Sequence, residues 1–145
     1  MPKFGNASKQ RLATCHPDLQ TVLNEAIKYI DFSIIEGYRT KEEQDRYVKE
    51  GKSKTLESKH LLRYCPEYGG AYSYAVDVVP YFSNVPHTDF NDCEEFCLLA
   101  GVILSTAKRL KEEGKIKNDI RWGGKWNKVR IKDNAWKDMP HYEIK

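Results

Sequence analysis

The sequence lacks any segment typical of export or of a membrane. Met1 to Gly5 is followed by polar residues rather than by an apolar core, so the start does not match a secretion signal. The most apolar run, Phe96 to Leu104, is much shorter than the roughly 20 residues that a membrane-spanning helix needs. We therefore expect a protein that is made and kept in a cytoplasm and that does not insert into a membrane.

Charge of one sign is also scarce. The 24 basic and 21 acidic residues nearly cancel and leave a formal net charge of +3. Nucleic-acid-binding domains usually carry a strongly basic patch or stripe, so we expect no nucleic-acid partner. The composition, 40% hydrophobic and 31% charged, is typical of a globular protein, and the length predicts a single domain over residues 1–145.

The four cysteines match no common metal-binding or disulfide pattern. The sequence contains no C-x-x-C pair, and a cytoplasmic chain keeps its thiols reduced. Cys93 and Cys97 are four residues apart in a helical pattern, so they share one helix face, and we expect both to be buried as small hydrophobic residues. The histidines and carboxylates are therefore the better candidates for chemistry.

Hydrophobic periodicity and turn residues predict an α+β fold with a small central antiparallel sheet flanked by helices. Thr40 and Glu43 have the spacing of a capping box at a helix start. Residues 5–16 and 52–73 have the composition of loops. The predicted elements are a helix from Pro17 to about Ile30, a strand at 32–36, a helix at 41–50, a strand at 74–81, a helix ending near Glu113 and capped by Asp89 or Asn91, and strands at 120–122 and 141–144.

Histidine and carboxylate residues point to a metal site. Asp138, His141 and Glu143 crowd the C-terminus, a region that usually frays unless something holds it. Asp77 lies in an apolar strand pattern, where a carboxylate is costly unless it is paired or bound to metal. A salt bridge to a lysine or an arginine is the alternative for Asp77. Because His60, Asp77 and His141 together supply two imidazoles and one carboxylate, we favour a zinc-type site.

Several segments resemble one peptidase family. Ser58-Lys59-His60, Ala75 to Pro80 and Asp138 to Glu143 are similar to the zinc signature of the D-Ala-D-Ala carboxypeptidase/dipeptidase family, which includes phage L-alanyl-D-glutamate endopeptidases. The N-terminal segment from Phe4 to Gln20 resembles the phage endolysin branch. Further matches are Gly37-Tyr38-Arg39-Thr40 with Gln44, Gly51-Lys52-Ser53, and Arg121 to Trp126.

The resemblance implies a hedgehog/DD-peptidase-like fold and zinc-dependent hydrolysis of peptidoglycan stem peptides. In that case Asp138 is the general base, Arg39 faces the scissile carbonyl or a substrate carboxylate, and Ser58 binds the substrate backbone. The implied ligands of Zn²⁺ are His60, Asp77 and His141. For a phage lysis enzyme without an export segment, we expect a monomer in the host cytoplasm that acts on the cell wall after release by a holin.

Three other functions remain open from the sequence. The closest is a D-Ala-D-Ala carboxypeptidase or dipeptidase, because specificity among these enzymes depends on pocket shape. A non-catalytic, zinc-containing wall-binding module of the same fold is the second. The third is a cysteine-dependent amidase that uses Cys15 or Cys65 with a histidine.

The spacing between the first two implied ligands departs from the family pattern. Sixteen residues, Leu61 to Val76, separate His60 from Asp77, where the family has about six. Lengthening a flexible closed loop by this amount costs only about 1 kcal/mol, so the site tolerates it. We expect the insertion to form a lip over the cleft. The longer spacing leaves Glu67 and His87 as alternatives to Asp77.

The role of the second terminal carboxylate is also open. Pro140 argues against a helix here, and in a strand His141 and Glu143 point the same way. Asp138 reaches the site only if Met139-Pro140 bends the chain. Glu143 is then the alternative base or a partner of a ligand.

Other side chains have two interpretations. Arg39 pairs with Glu36 or Glu43 if it is not catalytic. His16 is a surface or capping residue, and His87 is solvated. The tryptophans line a peptide or sugar cleft, although Trp122 is at least as typical of a core; they are Trp122, Trp126 and Trp136.

Overall fold

Helices and strands alternate irregularly along the chain. The computed structural model describes residues 1–53, 55, 57–126, 130–133 and 137–145. The described elements are α1 (Asn6–Leu12), α2 (Pro17–Ala26), β1 (Phe32–Glu36), α3 (Lys41–Lys49), β2 (Leu62–Cys65), β3 (Gly70–Ser73), β4 (Ala75–Pro80), α4 (Cys93–Glu112), β5 (Ile120–Trp122), a 3₁₀ turn (Ile131–Asp133) and β6 (His141–Ile144).

Four strands form one antiparallel sheet in the order β1-β4-β6-β5. The strands β2 and β3 form a separate antiparallel hairpin. The α+β fold with a small central antiparallel sheet is therefore confirmed. The terminal strand β6 lies between β4 and β5, so the last residues of the chain are held by pairing on both sides.

The two faces of this sheet differ because side chains alternate along each strand. Val76, Tyr142 and Trp122 are neighbours across β4, β6 and β5, and all three are buried in the apolar core. Asp77 and His141 alternate with them, so they project from the opposite face. The packing of Trp122 in the core agrees with the core interpretation of this residue.

A β-bulge in β1 changes which side chain faces the polar side of the sheet. Ile34 pairs with Val78, but Glu36 pairs with Asp77, so one residue of β1 is extra. Bulges of this kind redirect side chains and are common next to functional sites. Here the bulge places Glu36 opposite Asp77.

The helix caps follow the predicted chemistry with one correction. Thr40 and Glu43 form the expected capping box at the start of α3. The helix α4 is capped by Asp92, whose carboxylate accepts a backbone N–H of the first turn, and not by Asp89 or Asn91. Asp89 instead accepts the N–H of Asn91 in a turn just before the helix.

Two segments predicted as loops contain regular structure. Residues 6–12 form α1, which is too short for a clear hydrophobic period and is held by its contact with β1. Ser8 in this helix accepts the backbone N–H of Ile34. Residues 62–73, placed in a long loop by the sequence, instead contain the β2–β3 hairpin, which turns at Gly69 with a φ of 70°.

The hairpin packs against the start of α2. The N-cap of α2 is His16, whose Nδ1 accepts the N–H of Asp18, so the capping prediction is correct. His16 is only 1% exposed, however, because Cys65 of the hairpin lies against its Nε2 at 3.4 Å. The expectation of a surface histidine is therefore wrong, and its cause is the unpredicted hairpin.

The expectation for the helical cysteines is also wrong. Cys93 is exposed and Cys97 is only partly buried, because α4 turns Phe96, Leu99 and Ile103 toward the core instead. Within the described ranges, no helix is both long and apolar enough to cross a membrane.

We predict that Asp18→Ala destabilises the fold by on the order of 3 kcal/mol, because it removes a buried acceptor of several hydrogen bonds. The Asp18 carboxylate accepts from Tyr68 Oη, from the backbone N–H groups of Lys117 and Asn118, and from the Asn118 amide. Chemical denaturation measures the change. Asp45→Ala, which removes an exposed helical ion pair with Lys41, is the control and should cost less than about 0.5 kcal/mol.

The pH dependence of this contribution has a definite sign. Burial alone would raise the pKa of Asp18, but the hydrogen bonds from Tyr68 and Asn118 outweigh it and hold the pKa below its ordinary value. The stabilisation is therefore present above the unfolded pKa of about 3.9 and is lost as the pH falls through the lower folded pKa. Equal stability of the wild type and the alanine variant near neutral pH would contradict the network.

Candidate metal centre and cleft

Three elements bring together three side chains that could hold a metal ion. His60 comes from the turn before β2, Asp77 from β4 and His141 from β6. Asp77 and His141 are direct partners in the antiparallel ladder, and such partners project side by side from one face. The long insertion therefore does not separate His60 from the other two residues in space.

The distances between the three inward atoms match a tetrahedral metal site. His60 Nε2 lies 3.2 Å from Asp77 Oδ1 and 3.3 Å from His141 Nδ1, and the remaining separation is 3.1 Å. Nitrogen and oxygen ligands about 2.0–2.2 Å from a tetrahedral zinc ion lie about 3.3–3.6 Å from each other. The triangle is thus close to the size that one such ion requires.

The outer hydrogen bonds of both histidines orient their lone pairs inward. His60 Nδ1 lies 2.8 Å from the carbonyl oxygen of Gly37, which can only accept, so this nitrogen carries the proton. His141 Nε2 likewise donates to Glu143 Oε1 at 2.8 Å. In the neutral rings, His60 Nε2 and His141 Nδ1 are therefore acceptors. These two nitrogens and Asp77 Oδ1 make three acceptors that converge on one point, an arrangement that only a cation or an added proton relieves.

The ionisation of the site reflects this crowding. Burial alone would raise the pKa of Asp77, but His60 and His141 hold it far below its ordinary range. Burial alone would lower the pKa of His141, yet hydrogen bonds to Asp77 and Glu143 raise it to about 9. Without a metal, the cluster therefore holds a proton, and a divalent cation competes for the same position.

Local backbone contacts fix the His60 side. The His60 N–H donates to Ser58 Oγ, and its carbonyl accepts from the N–H of Arg39. Gly37, whose carbonyl orients the imidazole, touches Thr14 so closely that any Cβ at this position would collide with the Thr14 hydroxyl. A glycine is required here because of this close approach.

The chain turns at Met139-Pro140, and this turn brings Asp138 to the site. From the sequence, Asp138 was expected to reach the site only if the chain bends here. The N–H of His141 donates to the Asp138 carbonyl at 3.1 Å, and Asp138 Oδ2 lies 3.9 Å from His141 Nδ1. Gly123 pairs with this turn through backbone hydrogen bonds on both sides. A Cβ at Gly123 would meet the Asp138 backbone, so this contact also requires glycine.

The two terminal carboxylates have different surroundings. Burial and the nearby Asp77 raise the pKa of Asp138, which is typical of a carboxylate tuned to exchange protons. Burial would also raise the pKa of Glu143, but its contacts with His141, Lys59 and Arg121 lower it to about 2. Glu143 is therefore suited to orienting the His141 ring, and Asp138 to accepting a proton.

Arg39 lies beside the cluster and is held rigidly. Its guanidinium makes a two-point contact with Glu36 at 3.0 and 2.8 Å and donates to Gln44 at 2.6 Å. Its Nη2 is also 3.9 Å from Asp77 Oδ2. The expected pairing with Glu36 is present, whereas Glu43 is engaged in the helix cap.

An open cleft of about 480 Å³ lies over the cluster. Ser58, Arg39 and Asp138 line it together with the His60, Asp77 and His141 cluster. The sequence did not single out Tyr47, Lys59 and Arg121, which also line the cleft. Lys59 and Arg121 had appeared only within matching motifs, where adjacency was their signal, since Lys59 precedes His60 and Arg121 precedes the Trp-Gly-Gly turn. Tyr47 had no such signal.

The alternative ligands and the expected lip lie elsewhere. Glu67 is exposed on the hairpin, and His87 is exposed in a loop where its Nδ1 lies 2.9 Å from the Phe82 carbonyl. Among the described residues that line the cleft, none comes from 61–76, so the insertion forms a hairpin on α2 rather than a lip. Trp126 lines the cleft, whereas Trp136 lies outside the described residues.

The buried thiols do not have the properties of nucleophiles. Burial raises the pKa of Cys15 to about 12, so this thiol stays protonated. Cys65 contacts His16, but both side chains are about 1% exposed and lie outside the cleft. A reactive cysteine needs an accessible thiolate, so the geometry disfavours a cysteine-dependent amidase.

Comparison with known proteins gives consistent matches. The family model for phage L-alanyl-D-glutamate peptidases matches residues 1–144. The L-alanyl-D-glutamate peptidase of Escherichia phage T5 is 30% identical over 130 residues, which are 86% of this chain and 82% of the relative. The crystal structure of the Serratia marcescens L-Ala D-Glu endopeptidase ChiX superposes with a TM-score of 0.73 at 27% identity, covering 99% of this chain and 90% of that one.

We predict that Glu143→Gln weakens binding of Zn²⁺ about 10–100-fold, because the amide orients His141 less well and polarises it less. Calorimetric titration of the metal-free protein measures the affinity. Glu57→Gln, an exposed position on the same cleft, is the matched control and should bind Zn²⁺ like the wild type. Full retention of affinity in Glu143→Gln would contradict the proposed contact with His141.

Proposed function

Since this chain belongs to the family of phage L-alanyl-D-glutamate peptidases, we propose that it uses zinc, bound by His60, Asp77 and His141, to hydrolyse its substrate. The chain is a peptidase that acts on the L-Ala–D-Glu bond of peptidoglycan. Family membership thus favours the endopeptidase over a D-Ala-D-Ala carboxypeptidase or dipeptidase.

One observation carries the assignment of zinc. Two imidazole nitrogens and a carboxylate oxygen point at a common centre with separations of 3.1–3.3 Å. Because the outer ring nitrogen of each histidine donates a hydrogen bond, neither neutral ring has a proton at this centre. Two histidines and one carboxylate with a free fourth position are the donor set of catalytic zinc. Harder ions such as Mg²⁺ and Ca²⁺ favour all-oxygen sites.

Bound zinc supplies a Lewis acid that makes water a competent nucleophile near neutral pH. Asp138 is our candidate for the general base, because its carboxylate lies beside His141 and its pKa is raised. It takes a proton from the attacking water and delivers it to the leaving amine of D-glutamate. Its side chain is 36% exposed, so both reactants can reach it.

Two further residues position the substrate in this proposal. Arg39 directs its rigid guanidinium toward the scissile carbonyl, where negative charge develops, because Glu36 and Gln44 fix its orientation in advance. Ser58 accepts the N–H of His60, so its hydroxyl proton remains able to donate to the substrate backbone.

The biological setting follows from the lysis role of the family in our proposal. The peptidase accumulates as a monomer in the host cytoplasm and reaches the wall when a holin opens the membrane. A non-catalytic wall-binding module is the rival function, and the position of Asp138 in the cleft argues against it.

We predict that chelation abolishes cleavage of purified peptidoglycan and that added Zn²⁺ restores it. Mass analysis of the fragments should reveal new N-terminal D-glutamyl ends and no release of free D-Ala. Thiol alkylation is the control and should leave cleavage intact, because no cysteine takes part. Full activity in chelator would contradict the zinc mechanism, and free D-Ala would move the assignment to the carboxypeptidase.

We predict that Asp138→Asn lowers kcat by on the order of 10²–10⁴-fold while zinc content stays at the wild-type level, because it removes the base but no ligand. Glu143→Gln, assayed at saturating zinc, is the matched carboxylate-to-amide control and should keep most of the turnover. The reverse outcome, with Asp138→Asn active and Glu143→Gln inactive, would assign the base to Glu143.

A further inference from the structure

A pair of cations next to the ligand His141 has no role in the mechanism above. Glu143 Oε2 contacts Arg121 Nε and Nη2 at 3.0 and 2.9 Å and Lys59 Nζ at 3.2 Å, while Oε1 accepts from His141. Two cations thus share one carboxylate, and the group keeps one positive charge. Orienting His141 requires only Glu143, so the second cation exceeds what the metal site needs.

This surplus charge faces the cleft. Both Lys59 and Arg121 line it, and their side chains are 28% and 43% exposed. The Arg121 guanidinium lies over the Trp126 ring at 5.0 Å, and that ring is 5.6 Å from the ring of His141. Trp126 therefore provides a stacking platform that holds Arg121 on the wall of the cleft near the metal ligand.

Arg39 is less suited to a second anion. Its side chain is only 9% exposed, and its charge is balanced by Glu36 and by the nearby Asp77. It also lies beside Asp77, whereas Arg121 lies behind His141, one carboxylate further from the metal centre. The cleft therefore presents its unbalanced positive charge at Arg121 and Lys59.

The substrate carries an anion close to the scissile bond. A D-glutamyl residue has two carboxyl groups, and the peptide continues through at most one of them, so the other is a free carboxylate unless it is amidated. This carboxylate belongs to the residue directly after the scissile bond, about one residue spacing or roughly 3.5 Å along the chain. Arg121 is separated from His141 by the single side chain of Glu143.

We propose that Arg121, supported by Lys59, binds the free carboxylate of the D-glutamyl residue and makes the enzyme selective for substrates in which that group is not amidated. This proposal rests on the peptidase function above and names the specificity of the same cleft. A guanidinium matches a carboxylate with two parallel hydrogen bonds, whereas the neutral amide offers only one acceptor and no charge.

Two peptides that differ only in this group test the proposal. Both contain the L-Ala–D-Glu bond, one with a free D-glutamyl carboxylate and one with the primary amide. We expect the wild type to cleave the acid with a kcat/KM at least about tenfold above that of the amide. Arg121→Gln should lose this preference by slowing cleavage of the acid selectively, and Arg121→Lys should keep part of it.

Arg109→Gln is the matched control. Arg109 on α4 is 45% exposed and paired with Glu25 and Glu113, and it is not among the described residues that line the cleft, so its loss should leave the preference unchanged. If Arg121 only supported Glu143 and His141, Arg121→Gln would slow both peptides equally, and that result would overturn the carboxylate site.

A binding measurement separates this proposal from the peptidase function. In an Asp138→Asn background, calorimetry with both peptides reports affinity without turnover. At least tenfold tighter binding of the acid, lost in Asp138→Asn/Arg121→Gln, supports the site even if the wild-type chain cleaves neither peptide, an outcome that would overturn only the peptidase function. Equal affinities for acid and amide would overturn the carboxylate site alone.

Discussion

The structure depends on the convergence of three hydrogen-bond acceptors at one point. His60, Asp77 and His141 bring their inward atoms within 3.1–3.3 Å of each other, although neutral imidazoles oriented by Gly37 and Glu143 place no proton there. In a folded chain such a cluster is repulsive unless a cation or an added proton occupies it. The surrounding contacts are best understood as the means of holding these side chains in place against that repulsion.

The sheet and two glycines provide that support. Pairing of β4 with β6 sets Asp77 beside His141, and pairing of β6 with β5 keeps the chain terminus from fraying. Gly37 and Gly123 allow backbone approaches that any side chain would block, one behind His60 and one behind Asp138. The hairpin in the insertion packs on α2 and leaves the cleft open, which explains how ten or so extra residues are tolerated between His60 and Asp77.

Much of this architecture could be predicted from the sequence, because it depends on local patterns. The apolar strand pattern around Asp77 predicted β4, the Thr40 capping box predicted α3, and the family motifs pointed to His60, Asp77 and His141 as candidate ligands before any geometry was known. Helix α1 and the hairpin were missed, since both are short and are held by tertiary contacts rather than by their own periodicity. The sequence could not decide whether Asp138 or Glu143 is the better candidate for the base. That choice depends on the contacts of Glu143 with Lys59 and Arg121, which are distant in sequence.

The central claim is that these three side chains coordinate one zinc ion. Crystals grown with Zn²⁺ and measured at the zinc absorption edge test it most directly. The account predicts a single strong anomalous peak about 2.0–2.2 Å from His60 Nε2, Asp77 Oδ1 and His141 Nδ1, with Glu143 outside the coordination sphere. No peak at this position, or an ion bound by Glu143 in place of His141, would contradict it.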